Sequence, residues 1–219
     1  MTNMEQLIYS EITRATIELI GHGLSVDQEF PSNRQIGVDN FVIDWGDSNN
    51  LSIVFKNIEY KSIYDVLERE RKFNVKLIDG ALLQLMYMVK EGSVVSHRLA
   101  FFPSPYLEEF QNNPELYAHD DIYADILAKN IVPSPIRFDF NDDVHDDLHA
   151  KSHVTIGQYK NCRIPVSAPL SPISFINFIL QNFYSTAYNK FQINMRSDII
   201  LTKTITSLEE RKLHFNLVG

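Results

Sequence analysis

At 219 residues, with 44% hydrophobic and 22% charged side chains, the chain has ordinary globular composition and length enough to bury a sizeable core, which excludes an intrinsically disordered protein. A formal net charge of −8 opposes indiscriminate binding to a phosphate backbone, although 20 Lys and Arg leave room for a local basic cleft. One cysteine excludes an internal disulfide and an all-cysteine metal site. The start MTNMEQLIYSE has no basic segment followed by an apolar core, and no apolar run is long enough to span a bilayer, so a cytoplasmic protein without a membrane segment is expected.

In chain order, residues 3–21 predict an amphipathic helix: Met4, Leu7, Ile8, Ile12, Ala15, Leu19 and Ile20 recur at helical spacing, with Thr2 or Asn3 as cap and Gly21 or Gly23 as terminator. FVIDW (41–45) and LSIVFKNI (51–58) read as strands joined by the loop Gly46–Asn50. A charged helix follows over 62–73, with Ile63, Val66, Leu67 and Phe73 inward. ALLQLMYMVK (81–90) and SVVSHRLAFF (93–102) enclose Glu91-Gly92, a two-residue hairpin turn, and Pro103 and Pro105 stop the second strand. Short helical turns are expected at 106–110 and 122–127, with His119, Asp120 and Asp121 at the N-terminus of the latter.

PIRFDF (135–140) alternates, placing Arg137 and Asp139 on one face and Ile136, Phe138 and Phe140 on the other. VTIG (154–157) and CRIPV (162–166) are further short strands. Ser171 caps a long aromatic-rich helix, residues 171–188, with Phe175, Phe178, Ile179, Asn182, Phe183 and Tyr188 as its packing face. A helix at 207–212 and a last strand, LHFNLV, close the chain. The expected class is α+β, a mostly antiparallel sheet flanked by the N-terminal helix and the helix near 171–188. The expected organisation is one domain over 1–219: helix and hairpin 1–73, core 74–188 and C-terminal extension 189–219.

The chemistry-bearing residues concentrate between Pro135 and Pro165. His145, His149 and His153 are four apart and on a helix would share one face, the geometry of a divalent-metal site completed by Asp139, Asp142, Asp143, Asp146 or Asp147. The metalloprotease pattern is absent, because Ala150 stands where glutamate would be. A solvated acidic loop with histidines at its rim accounts for the same residues. Metal-free phosphodiester cleavage needs less: a histidine pair near neutral pKa as base and acid, and arginines for the phosphate. His149 and His153 fit the pair, and Asp139 fits as the group that orients an imidazole. Arg98, Arg137 and Arg163 each sit in a strand-like apolar run, where a guanidinium must be paired or bound to an anion. Internal ion pairs with Asp139 satisfy the same requirement. His97, between Ser96 and Arg98, is expected on the face of this central site. Cys162 reads as a buried structural thiol. HVTI (153–156) fits the H-x-T-hydrophobic pattern of two-histidine phosphoesterases, but no second copy exists, since RLA follows His97.

HRLAFFPSP (97–105), IRFDF (136–140), SHVTIGQY (152–159), CRIPV (162–166) and PISFINFILQNFY (172–184) together resemble the prokaryotic domain-of-unknown-function 2290 family over roughly residues 77–185. The resemblance implies a bacterial protein and attaches no activity. In the family pattern proline follows the first histidine of the HxxxH pair; Ala150 follows His149 here, which implies a less rigid loop. The order of RFD strand, histidine loop, strand and helix is also similar in layout to small toxin domains of toxin–antitoxin and anti-phage modules. Two function classes stay open: a nuclease-like or phosphoesterase-like effector acting on RNA, and a non-catalytic subunit that binds an operon-encoded partner in a defence or stress complex.

Overall fold

The computed structural model describes residues 3–46, 58–107, 110, 112–127, 133–144, 149–159, 161–193 and 195–217. The fold is α+β. Helix α1 (Met4–Gly21) leads into strands β1 (Ser25–Gln28), β2 (Ser32–Gly37) and β3 (Asn40–Asp44), then helix α2 (Tyr60–Arg69) and β4 (Val75–Leu77). The hairpin β5 (Leu82–Lys90) and β6 (Ser93–Phe102) follows, then the short helices α3 (Pro114–Tyr117) and α4 (Ala124–Leu127). Strands β7 (Ile136–Asn141), β8 (Ser152–Ile156) and β9 (Ile164–Pro165) precede α5 (Pro172–Phe183) and α6 (Ser185–Lys190).

Among the described residues all nine strands join one antiparallel sheet in the order β1-β4-β5-β6-β7-β8-β9, and β3 pairs both β2 and β5. The central hairpin forms as its sequence predicts. Glu91 (φ 49°) and Gly92 (φ 74°) both take the left-handed conformation, the backbone of a type I′ turn whose twist matches the flanking strands. Strand period 2 then sorts side chains onto two faces. Leu83, Leu85, Tyr87, Leu99, Phe101, Phe138 and Val154 face α1 and α5 in the main core. Leu82, Met86, Ala100 and Phe102 face Ile63, Tyr64 and Leu67 of α2, with Trp45 and Phe73, in a second, smaller core. The second face turns polar along β7 and β8, and this is where the candidate site lies.

Several expectations change. Strand β3 pairs with β2 and β5, and the expected loop 46–50 and strand 51–58 lie, apart from Gly46 and Ile58, outside the described residues. β1, β2 and β4 carry no clear alternation, because they are short or lie at the sheet edge. Helix 171–188 breaks at Tyr184 (φ −133°, ψ 43°). The break is tertiary in origin: the buried Tyr184 hydroxyl donates to both carboxylate oxygens of Asp79, 2.9 Å each, while Asp125 accepts from the Thr186 backbone at 2.8 Å and caps α6. The packing face of α5 accordingly includes Ile176 and Leu180, and Asn182 and Phe183 are exposed. Residues 207–212 form turns, and the described part of LHFNLV forms no strand but bridges Phe215 to Val166, with Leu217 N–H donating to Ser167 Oγ and Leu213 exposed.

Burial raises the Asp79 carboxyl above its ordinary value, with hydrogen bonds from Ala81 N–H and Tyr184 opposing the rise. Tyr184→Phe leaves that buried carboxyl short of its hydroxyl donor, so a loss of about 1–3 kcal/mol is expected in urea unfolding.

Candidate functional site

Antiparallel pairing lines up Arg98 with Asp139, Asp139 with His153, and His153 with Pro165, across β6, β7, β8 and β9. Directly opposite side chains on one sheet face lie about 4.5–5.5 Å apart at Cβ, so four strands deliver one polar row. A second row runs beside it, with Ala100 opposite Arg137 and Arg137 opposite Thr155.

Asp139 is the hub. Arg137 Nε donates to its Oδ2 at 2.5 Å, and Arg98 Nε reaches Oδ1 at 3.5 Å. Burial pushes the Asp139 carboxyl up, but the Arg137 and Arg98 guanidiniums outweigh it and hold the group below the usual carboxylate range. Burial draws Arg98 down to about 10, which leaves it charged at neutral pH. An ionised carboxylate thus stands between Arg98 of its own row and Arg137 of the second.

His153 Nδ1 lies 3.0 Å from the Ala150 carbonyl. A carbonyl only accepts, so Nδ1 carries the proton and the neutral ring presents its lone pair at Nε2. Nε2 stands 3.7 Å from Asp139 Oδ2. The bond that orients the imidazole therefore comes from Ala150, and Asp139 is placed to attract the ring once it is protonated. Burial lowers the His153 pKa below its ordinary value, with Asp139 opposing, so the ring is neutral near pH 7. The His149 ring lies 4.9 Å from that of His153, inclined at 59°. Arg163 is exposed, one residue ahead of β9.

His149, His153, Asp139, Arg98 and Arg137 are thus brought to one face, with Arg163 at its margin. His97 is not. Its immediate neighbour Arg98 faces the site, so period 2 sends His97 to the opposite face, between the rings of Tyr87 and Phe140 at 5.5 and 5.7 Å. There Nε2 accepts the Leu170 N–H at 3.0 Å, and burial lowers the ring to about 4. His97 is a neutral core acceptor, and the expectation that it lines the site is corrected.

The helical arrangement of His145, His149 and His153 does not form, since His153 belongs to strand β8. His145, Asp146 and Asp147 lie outside the described residues. Among the described residues no group of three His, Cys, Asp or Glu is arranged to hold a metal ion. Cys162 precedes β9, half-buried, and its Sγ accepts the Ile156 N–H at 3.4 Å. Sequence reasoning missed the Ala150 carbonyl, since a backbone acceptor leaves no signature in residue identity.

Among the described residues no helix is long and apolar enough to cross a membrane. No curated protein and no solved structure matches the chain. The model of a family described as an uncharacterized conserved protein (DUF2290) matches residues 24–217, extending beyond the segment 77–185 that carries the sequence resemblance.

Proposed function

We propose, for a chain that belongs to the DUF2290 family, a nuclease-like phosphodiester cleavage of RNA in the bacterial cytoplasm, the chemistry of a toxin–antitoxin or anti-phage effector. The observation that carries this reading is the unprotonated Nε2 of His153 held beside the Arg98–Asp139–Arg137 cluster, with a second imidazole, His149, at 4.9 Å.

In this reading His153 Nε2 takes the proton of a ribose 2′-hydroxyl, the 2′-oxygen bonds to phosphorus, and the bond to the 5′-oxygen breaks. That oxygen takes its proton from the imidazolium form of His149, leaving a 2′,3′-cyclic phosphate and a free 5′-hydroxyl. Arg98 and Arg137 face the charge gathering on the equatorial phosphate oxygens, and Arg163, at the margin of the face, holds the phosphate backbone of the substrate. Asp139 stabilises the imidazolium formed on His153. The substrate supplies the nucleophile, so the step balances without a further reactant.

The test is cleavage of a fluorescent single-stranded RNA in the presence of a chelator. Activity yielding cyclic-phosphate ends, lost in His149→Ala and in His153→Ala while both variants keep the parent's melting temperature, is the expected result. Full activity in both variants overturns the assignment.

A second reading has its own observation. Arg98 is 8% exposed, and it and Arg137 both pair with Asp139, the pattern of an internal ionic network in a non-catalytic subunit that binds an operon-encoded partner protein. Wild-type protein inert toward RNA, with a stability loss in Arg137→Ala, is the outcome that favours it.

A further inference from the structure

The β8–β9 pairing matches His153 with Pro165 and Val154 with Ile164. Continued by one residue, this register sets Arg163 opposite Thr155, on the face that carries Arg137 and His153. Ile164, between Arg163 and Pro165, packs into the main core, which fixes the alternation. The second row therefore reads Arg137, Thr155, Arg163: a hydroxyl between two guanidiniums. Arg163 is exposed and makes no ion pair among the described residues, and the half-buried Thr155 hydroxyl makes no hydrogen bond among them. Arg98 and Arg137 share Asp139, and Arg163 adds a third guanidinium to the two rows in a chain of net charge −8.

The geometry points to a second phosphate subsite at Thr155 and Arg163, beside the reacting one, so that the substrate is a single strand with at least two consecutive phosphates rather than a mononucleotide. This deepens the RNA reading above and rests on it. The rows are two residues apart along the strands, about 6.5–7 Å, a separation comparable to that of neighbouring phosphates on an extended strand. One phosphate lies against Arg98 and His153. The next receives the Thr155 hydroxyl and the Arg163 guanidinium, with the charge of Arg137 between the two. The same backbone that sets the strand register sets the substrate register. The subsite reads phosphate and carries no base preference.

The test uses uncleavable 2′-O-methyl oligonucleotides, a dinucleotide with one phosphate and a trinucleotide with two, titrated calorimetrically into the wild-type chain. Charge-assisted contacts of this kind predict about 10–100-fold tighter binding for the second phosphate. That gain is expected to vanish in Arg163→Ala, to shrink in Thr155→Val, to return in Thr155→Ser and to persist in His153→Ala. The slope of log affinity against log salt is expected to fall by about 0.7 in Arg163→Ala. No gain in the wild type, or an equal gain in Arg163→Ala and Thr155→Val, overturns the subsite. Failure of the catalytic reading appears separately, as tight two-phosphate binding without cleavage of the natural strand. Arg163 is exposed and Thr155→Val keeps shape and β-branching, so folding is preserved in the deciding variants.

Discussion

Asp139→Ala is expected to destabilise the protein by about 3–5 kcal/mol, read as the shift in urea unfolding, because it leaves Arg98 and Arg137 without the carboxylate they share. The size follows from where the group sits: its side chain is 20% exposed, so solvent screens the pair weakly. Arg98→Met removes a cation and keeps an apolar stem opposite Met86 on the neighbouring strand β5, so it costs less than Asp139→Ala. Equal costs would show that packing, not the ionic network, holds this face together. The pH dependence has a defined sign. The folded carboxyl titrates below its unfolded value, so its contribution is fully present above the unfolded pKa and is lost as pH falls through the folded one. Wild-type stability therefore declines on acidification below about pH 4, and this part of the decline is absent in Asp139→Asn.

His153→Ala is expected to lower RNA cleavage by about 10²–10⁴-fold, the range for loss of a positioned general base. Its pH profile distinguishes a base from a packing residue. The folded His153 pKa lies below 6.5, so the base form is populated at neutral pH and the acid limb of kcat/KM falls as pH drops through that lowered value. An acid limb centred above pH 7 would contradict this assignment. The same shift sets a stability term: the unfolded chain binds the His153 proton more readily, so stability rises with pH across the interval between folded and unfolded pKa values.

The α+β class, the central hairpin and the Ser171 cap were legible because each is written locally. Apolar runs on either side of Glu91-Gly92 identify β5 and β6 and their two-residue turn, period-2 alternation identifies β7, and a serine three residues ahead of Ser174 N–H accepts its bond at 3.1 Å. The same local rule already put Arg137 and Asp139 together on one face, and applied between His97 and Arg98 it separates those two. The short strands β1, β2 and β4 were not legible, since a few polar residues such as SNRQ carry no hydrophobic signal and gain their pairing from neighbours.

What the sequence by itself determined is the main elements, α1, the hairpin β5–β6, β7 and the start of α5, and the shared face of Arg137 and Asp139, because these follow from backbone periods of 2 and 3.6 and from local turn and cap residues. What only the tertiary structure decided is which elements became neighbours. Arg98 and Asp139 meet across 41 residues of chain, and the Tyr184 hydroxyl breaks a helix to reach an aspartate 105 residues away. Such contacts depend on strand order and register, which arise from the joint packing of two sheet faces against α1, α5 and α2. No local pattern encodes that arrangement, and so the histidines and arginines were nameable from the sequence while the row they form was not.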